Sequence, residues 1–141
     1  GGPQEESAMQ TQVRETMVEC TNGSDEGRLS FPEVVRALVE AGVERYHADL
    51  QRAEKTYYLP SGESLVVPAR HTETKPAIDF DAAGVEAAVR QIQAQKLTYL
   101  AFCERIPAAG CVGYFVSLAG RRAVYFGRSA ESFVEPFPSM K

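Results

Sequence analysis

Apolar side chains recur at helical spacing in Val34, Val35, Leu38 and Val39, and then in alternation in Tyr46, Ala48 and Leu50. The first spacing predicts a helix with one buried stripe, the second a strand with one buried face. The same succession returns 68 residues later, where Arg28–Pro68 lies over Lys96–Pro136 without a gap and with identities at 11 of 41 positions. Leu29/Leu97, Gly42/Gly110, Tyr46/Tyr114, Tyr57/Tyr125 and Pro68/Pro136 are among them.

Each copy opens on a residue able to cap a helix, Ser30 or Thr98, and Glu33 completes a capping box in the first. Each helix runs into Ala-Gly, where glycine can turn left-handed and end it, and Pro107 is expected to shorten or distort the last turn of the second. Strands follow over Val43–Leu50 and Glu54–Leu59 in copy one and over Cys111–Leu118 and Arg122–Gly127 in copy two. Gly120 supplies the second hairpin's turn and Gln51-Arg52-Ala53 the first's, and short third strands run around Leu65–Val67 and Phe133–Glu135. Before the copies, Glu5–Cys20 carries Met9, Val13 and Met17 on one helical face, and Asp81–Gln95 carries Val85, Ala88, Val89 and Ile92, with Asp81 placed to cap.

The fold expected is therefore α+β: internally duplicated α-α-β-β-(β) units forming an antiparallel sheet of four to six strands with helices packed on one face. Residues 1–4 read as a cleavage scar or disordered start and 5–141 as one domain, with copy one at about 5–68, a polar linker at 69–79 and copy two at about 80–138.

Alternation places Tyr46, Ala48 and Leu50 under the helices and, with a three-residue turn, adds Thr56 and Tyr58, as Val124 and Phe126 in copy two. The open face of copy one then displays Arg45, His47, Asp49, Lys55 and Tyr57, with His47 opposite Tyr57 and Asp49 opposite Lys55. Copy two has Gly113, Phe115, Ser117, Ala123 and Tyr125 in those places, so the fold does not require charge there. A histidine two residues from an aspartate on one strand face can serve as a general base, with Tyr57 as proton donor and Arg45 or Lys55 holding an anionic substrate. The plainer account is a set of cross-strand pairs on a solvated face, worth about 0.2–1 kcal/mol each.

His71 falls in the polar linker, Cys103 in a helix and Cys111 at a strand start; a Cys/His/Asp relay from Cys103 or Cys111 with His47 and Asp49 is chemically conceivable, but nothing in the spacing selects it. Asn22-Gly23-Ser24 spells a glycosylation acceptor and reads as a turn. Asp79-Phe80-Asp81 lacks the further carboxylates of a calcium loop, so no metal or cofactor is expected.

Composition narrows the partners. With 15 Lys and Arg against 19 Asp and Glu and no basic run, nucleic acid is not expected. No stretch is apolar for the 18 or so residues a membrane span needs, and three cysteines without pairing motifs fit a cytoplasmic setting.

The segments Ala109-Gly110-Cys111, Tyr114-Phe115-Val116, Gly120-Arg121-Arg122, Tyr125-Phe126-Gly127-Arg128 and Val134-Glu135-Pro136-Phe137-Pro138 resemble a bacterial, prophage-associated family of unknown function, YbcV/YdfO-like, some of whose members carry the label phage envelope protein. The resemblance also takes in Gly42–Asp49 and Lys55–Glu63, and it implies a fold but no catalytic residues. The leading functional expectation is a non-catalytic binding or regulatory domain that meets a protein partner through its open sheet face, where Phe115 and Tyr125 offer apolar area. The alternatives are a small enzyme using His47, Asp49 and Tyr57, and a homodimer paired through sheet edges.

Overall fold

A computed structural model describes residues 3–70 and 74–138, in the order α1 (Pro3–Asp25), α2 (Phe31–Glu40), β1 (Arg45–Asp49), β2 (Glu54–Tyr58), β3 (Ser64–Pro68), α3 (Ala82–Gln93), α4 (Tyr99–Ala108), β4 (Cys111–Ser117), β5 (Arg122–Gly127) and β6 (Ser132–Pro136). His71 lies outside the described residues.

The helices start where their caps dictate. The Ser30 hydroxyl accepts the Glu33 N–H while the Glu33 carboxylate accepts the Ser30 N–H, and Thr98 and Asp81 accept from Ala101 and Gly84. Both α2 and α4 have 10 residues, so Pro107 does not shorten its helix. Pro107 is buried, and its carbonyl accepts from Ala77 and Gly110. Helix α1 runs on through Asn22-Gly23-Ser24, which is not a turn; the side chain of Leu29 occupies the space where a Gly23 Cβ would stand.

The strands form one antiparallel sheet in the order β3-β2-β1-β4-β5-β6. Its centre is the β1–β4 pair, where His47 faces Phe115, the residue 68 positions further along the chain. The order of strands therefore reads the same outwards from that pair in both directions. Among the described residues, every left-handed backbone position also has a partner 68 residues away: Gly27 and Gln95, Gly42 and Gly110, Ala53 and Arg121, Gly62 and Ala130.

Those left-handed residues correct the expected register. Asp49 pairs with Glu54 and Ser117 with Arg122, so each hairpin has a four-residue loop, closed by Ala53 or Arg121 at φ 54° or 53°. Gly120 is not the left-handed residue of its turn; its N–H is held by the Ser117 hydroxyl, as those of Gln51 and Arg52 are by Asp49. One extra loop residue inverts every side chain on the returning strand. Lys55 and Tyr57 consequently face the helices, with Ala123 and Tyr125 in the other half, while Thr56, Tyr58, Val124 and Phe126 face away.

The core lies between the helices and that inner face. Val34, Val35 and Leu38 of α2, Val85, Ala88 and Val89 of α3, and Phe102, Cys103 and Ile106 of α4 pack there with Tyr46, Ala48, Tyr57, Tyr114, Val116 and Tyr125. The rings of Tyr46 and Tyr57 lie 5.2 Å apart at 37°, and those of Tyr114 and Tyr125 lie 5.1 Å apart at 35°. The edge strands β3 and β6 are five residues long, and each ends on proline, Pro68 or Pro136.

Candidate functional site

The side chains of the outer face of the sheet are exposed or half-buried except at Gly113, and they fall into three rows across the strands. The middle row is Val66, Thr56, His47, Phe115, Val124 and Val134, one residue from each strand. Val66, Phe115 and Val134 are exposed at 50%, 44% and 46%, an amount of apolar surface that a sheet left in water does not need. On one side of it Arg45 and Arg122 stand in the row with Tyr58 and Ser117; on the other Glu54 and Asp49 stand in the row with Gly113 and Phe126.

The centre of this face is an aromatic stack. The His47 ring lies 4.5 Å from Phe115 and 5.8 Å from Phe126, with 20° and 28° between planes, and Phe115 lies 5.6 Å from Phe126. The stack needs Gly113 beneath it, because a Cβ there would meet His47 Nε2 at 3.1 Å and the Phe126 ring at 3.2 Å. Burial in the stack lowers the His47 pKa from its usual 6.5, outweighing the pull of Asp49 and Glu54. The imidazole is therefore neutral at pH 7 and behaves as a flat aromatic surface.

Of the residues expected to act with His47, Asp49 and Arg45 share its face but make other contacts, and Tyr57 and Lys55 lie on the opposite face. The Asp49 carboxylate caps its own loop, accepting from Gln51 at 3.0 Å and Arg52 at 2.9 Å. The Arg45 guanidinium lies 4.3 Å over the Tyr58 ring and pairs with Glu44. Tyr57 is on the opposite face, hydrogen-bonded through its hydroxyl to Thr21 at 2.7 Å, and Tyr125 is buried there beside Phe102 and Tyr114. Of the ligand-binding candidates, Arg45 and Phe115 stand on the outer face, whereas Lys55 and Tyr125 do not. The sheet likewise separates His47 from Cys103 on α4, so no Cys/His relay between them is assembled.

Lys55 is the chemical anomaly of the interior. It is 3% exposed, with its ammonium 4.5 Å above the Tyr99 ring and 5.9 Å from Tyr46, and it makes no ion pair among the described residues. Desolvation lowers its pKa, while Cys103, Asp25 and Cys20 oppose that. Asp25, also buried, accepts the Arg70 N–H with one carboxylate oxygen and leaves the other without a hydrogen bond. Burial pushes the Cys20 and Cys111 thiols up to about 11 and Cys103 up to about 12, so all three are protonated and poor nucleophiles.

At one end of the sheet an open cleft of about 580 Å³ is lined by residues including Lys75, Val112, Phe126 and Arg128. Among the described residues no three His, Cys, Asp or Glu side chains gather as a metal site, and no helix is long and apolar enough to cross a membrane.

Sequence reasoning placed His47 and Phe115 on the right face but missed Tyr58, Val124 and Phe126 and the burial of Lys55. One signal for Lys55 was available, since it aligns with Ala123 while its neighbours Tyr57 and Tyr125 are identical, as core positions of a shared architecture would be.

A comparison with curated proteins finds no match. A family model does match: residues 26–135 fit the one described as protein of unknown function (DUF1398), and the chain, with its four helices backing an antiparallel six-stranded sheet, belongs to that family.

Proposed function

We propose that this chain is a non-catalytic binding or regulatory domain, built from two copies of one helix-plus-hairpin unit, that works through the uncovered face of its sheet. The observation that carries the reading is the middle row, apolar or aromatic from edge to edge apart from Thr56 and with Phe115 44% exposed at its centre. Aromatic area of this kind, flanked by polar rows, is the composition of a recognition surface. Catalysis by His47 has less support, because neither Tyr57 nor a cysteine stands on its face and Asp49 is occupied in its loop. Edge pairing has less support as well, since prolines end both short edge strands and remove donors there. A cytoplasmic setting in a bacterial, prophage-associated family goes with this reading, on the unpaired cysteines and the sequence resemblance.

The test uses an environment-sensitive naphthalene dye on dilute protein. Wild type should take it up with a rise in fluorescence, and Phe115→Asp should lose that uptake while keeping its circular dichroism. Equal uptake by both proteins would sink the reading.

A further inference from the structure

We propose that the occupant of the uncovered face is a second copy of this chain, stacked sheet on sheet about a twofold axis that runs along the apolar row. The inference rests on the reading of that face as a recognition surface and names what it recognises.

Charge complementarity selects this arrangement. A twofold along the row reverses strand direction between the copies, so the row that carries Arg45 and Arg122 in one copy lies over the row that carries Asp49, Glu54 and Phe126 in the other. Arg45 then meets Oδ2 of the second copy's Asp49, the oxygen not used by its loop, both on β1, and Arg122 meets its Phe126, both on β5, which adds a cation–π contact to the ion pair. The middle row meets itself and holds no carboxylate, ammonium or guanidinium, so no charge is left facing its own kind across the axis. A twofold along the strands, by contrast, would lay Arg45 and Arg122 over the equivalent cationic row.

Size and closure agree with a reversible dimer. Six strands about 4.8 Å apart and five residues about 3.3 Å apart give a patch of roughly 25 by 17 Å in projection, or about 850 Å² over two copies, the size of a weak, transient contact rather than of a permanent one. Sheets stacked within about 30° of one another form a sandwich, and a twofold contact closes on itself without leaving a patch for further copies.

Sedimentation and light scattering over a wide concentration range test this. Wild type should pass from monomer to dimer, and so should Val39→Asp, a control at an exposed apolar position on α2. Phe115→Asp should stay monomeric. Arg45→Asp and Asp49→Arg should each dissociate more readily, by roughly tenfold in dissociation constant. Mixed together they should re-associate, because each supplies the charge the other lost. Wild type that stays monomeric at millimolar concentration overturns the proposal, as does a mixture no tighter than its components. Should Asp49→Arg fail to fold through loss of its loop cap, the contrast between Phe115→Asp and Val39→Asp decides alone. Monomeric wild type that still takes up dye at Phe115 overturns only the second copy as occupant, whereas monomeric protein that takes up none overturns the recognition surface as well.

Discussion

The two hairpins share a backbone and part company in chemistry. Inside the first, β1–β2, stand Lys55 and the Tyr57–Thr21 hydrogen bond; inside the second, β4–β5, the matching strand positions hold Ala123 and Tyr125, and Tyr125 packs beside Phe102 and Tyr114. Outside, His47 of the first stacks on Phe115 of the second, its own counterpart. Since the second half forms the same loops and tyrosine pair with apolar residues, polar groups in the first are not what the fold demands. Changing one residue at a time in each half measures what each polar group contributes or costs.

The largest effect expected separates the two helix ends. Gly42 and Gly110 are both left-handed, at φ 82° and 89°, but nothing lies within 4 Å of a Cβ on Gly42, whereas one on Gly110 would sit 2.2 Å from the Asp79 carbonyl oxygen. Gly42→Ala should cost about 1 kcal/mol, the left-handed penalty alone, and Gly110→Ala about 3–5 kcal/mol, read by urea unfolding. Equal costs would mean that the loop before α3 yields freely.

Next comes the tyrosine pair. Tyr57→Phe strands the buried Thr21 hydroxyl and should cost about 1–3 kcal/mol, while Tyr125→Phe, which loses no comparable side-chain bond among the described residues, should be nearly neutral. Similar losses from both would remove the distinction.

Lys55→Met keeps the stem and removes a desolvated charge, so it should stabilise the protein at neutral pH by about 1–2 kcal/mol. Because the folded-state pKa of Lys55 lies below the unfolded 10.5, the folded protein forgoes a proton that the unfolded chain binds. The penalty is full at pH below the folded value and vanishes as pH rises to 10.5, so the advantage of Lys55→Met should shrink over that span. An advantage independent of pH would assign it to packing instead.

The smallest effect is that of His47. Its folded pKa also lies below the unfolded 6.5, so wild type should lose stability as pH falls through 6.5 to the folded value and then level off. His47→Phe, which copies the other half, should remove that component; thermal unfolding of both proteins between neutral and mildly acidic pH reads the difference.

Helix starts and stops were legible because they are local: Ser30, Thr98 and Asp81 satisfy N–H groups three residues away, whatever the rest of the chain does. The self-match at an offset of 68 positions likewise pointed to two hairpins, and the alternation along their strands to a helical layer over one side. The turn at Asn22-Gly23-Ser24 was misread because its glycine answers to a tertiary contact, the close approach of Leu29. The outer site was half legible, His47 and Phe115 without Tyr58, Val124 and Phe126.

By itself, then, the sequence determined the order of helices and strands, their caps and the alternation of each strand, since each depends on neighbours a few residues apart. Tertiary structure decided the side on which Lys55 and Tyr57 lie. That choice hangs on one loop residue, Ala53 or Arg121, adopting a left-handed backbone for which neither has a preference, held there by a strand pairing that only the folded sheet completes.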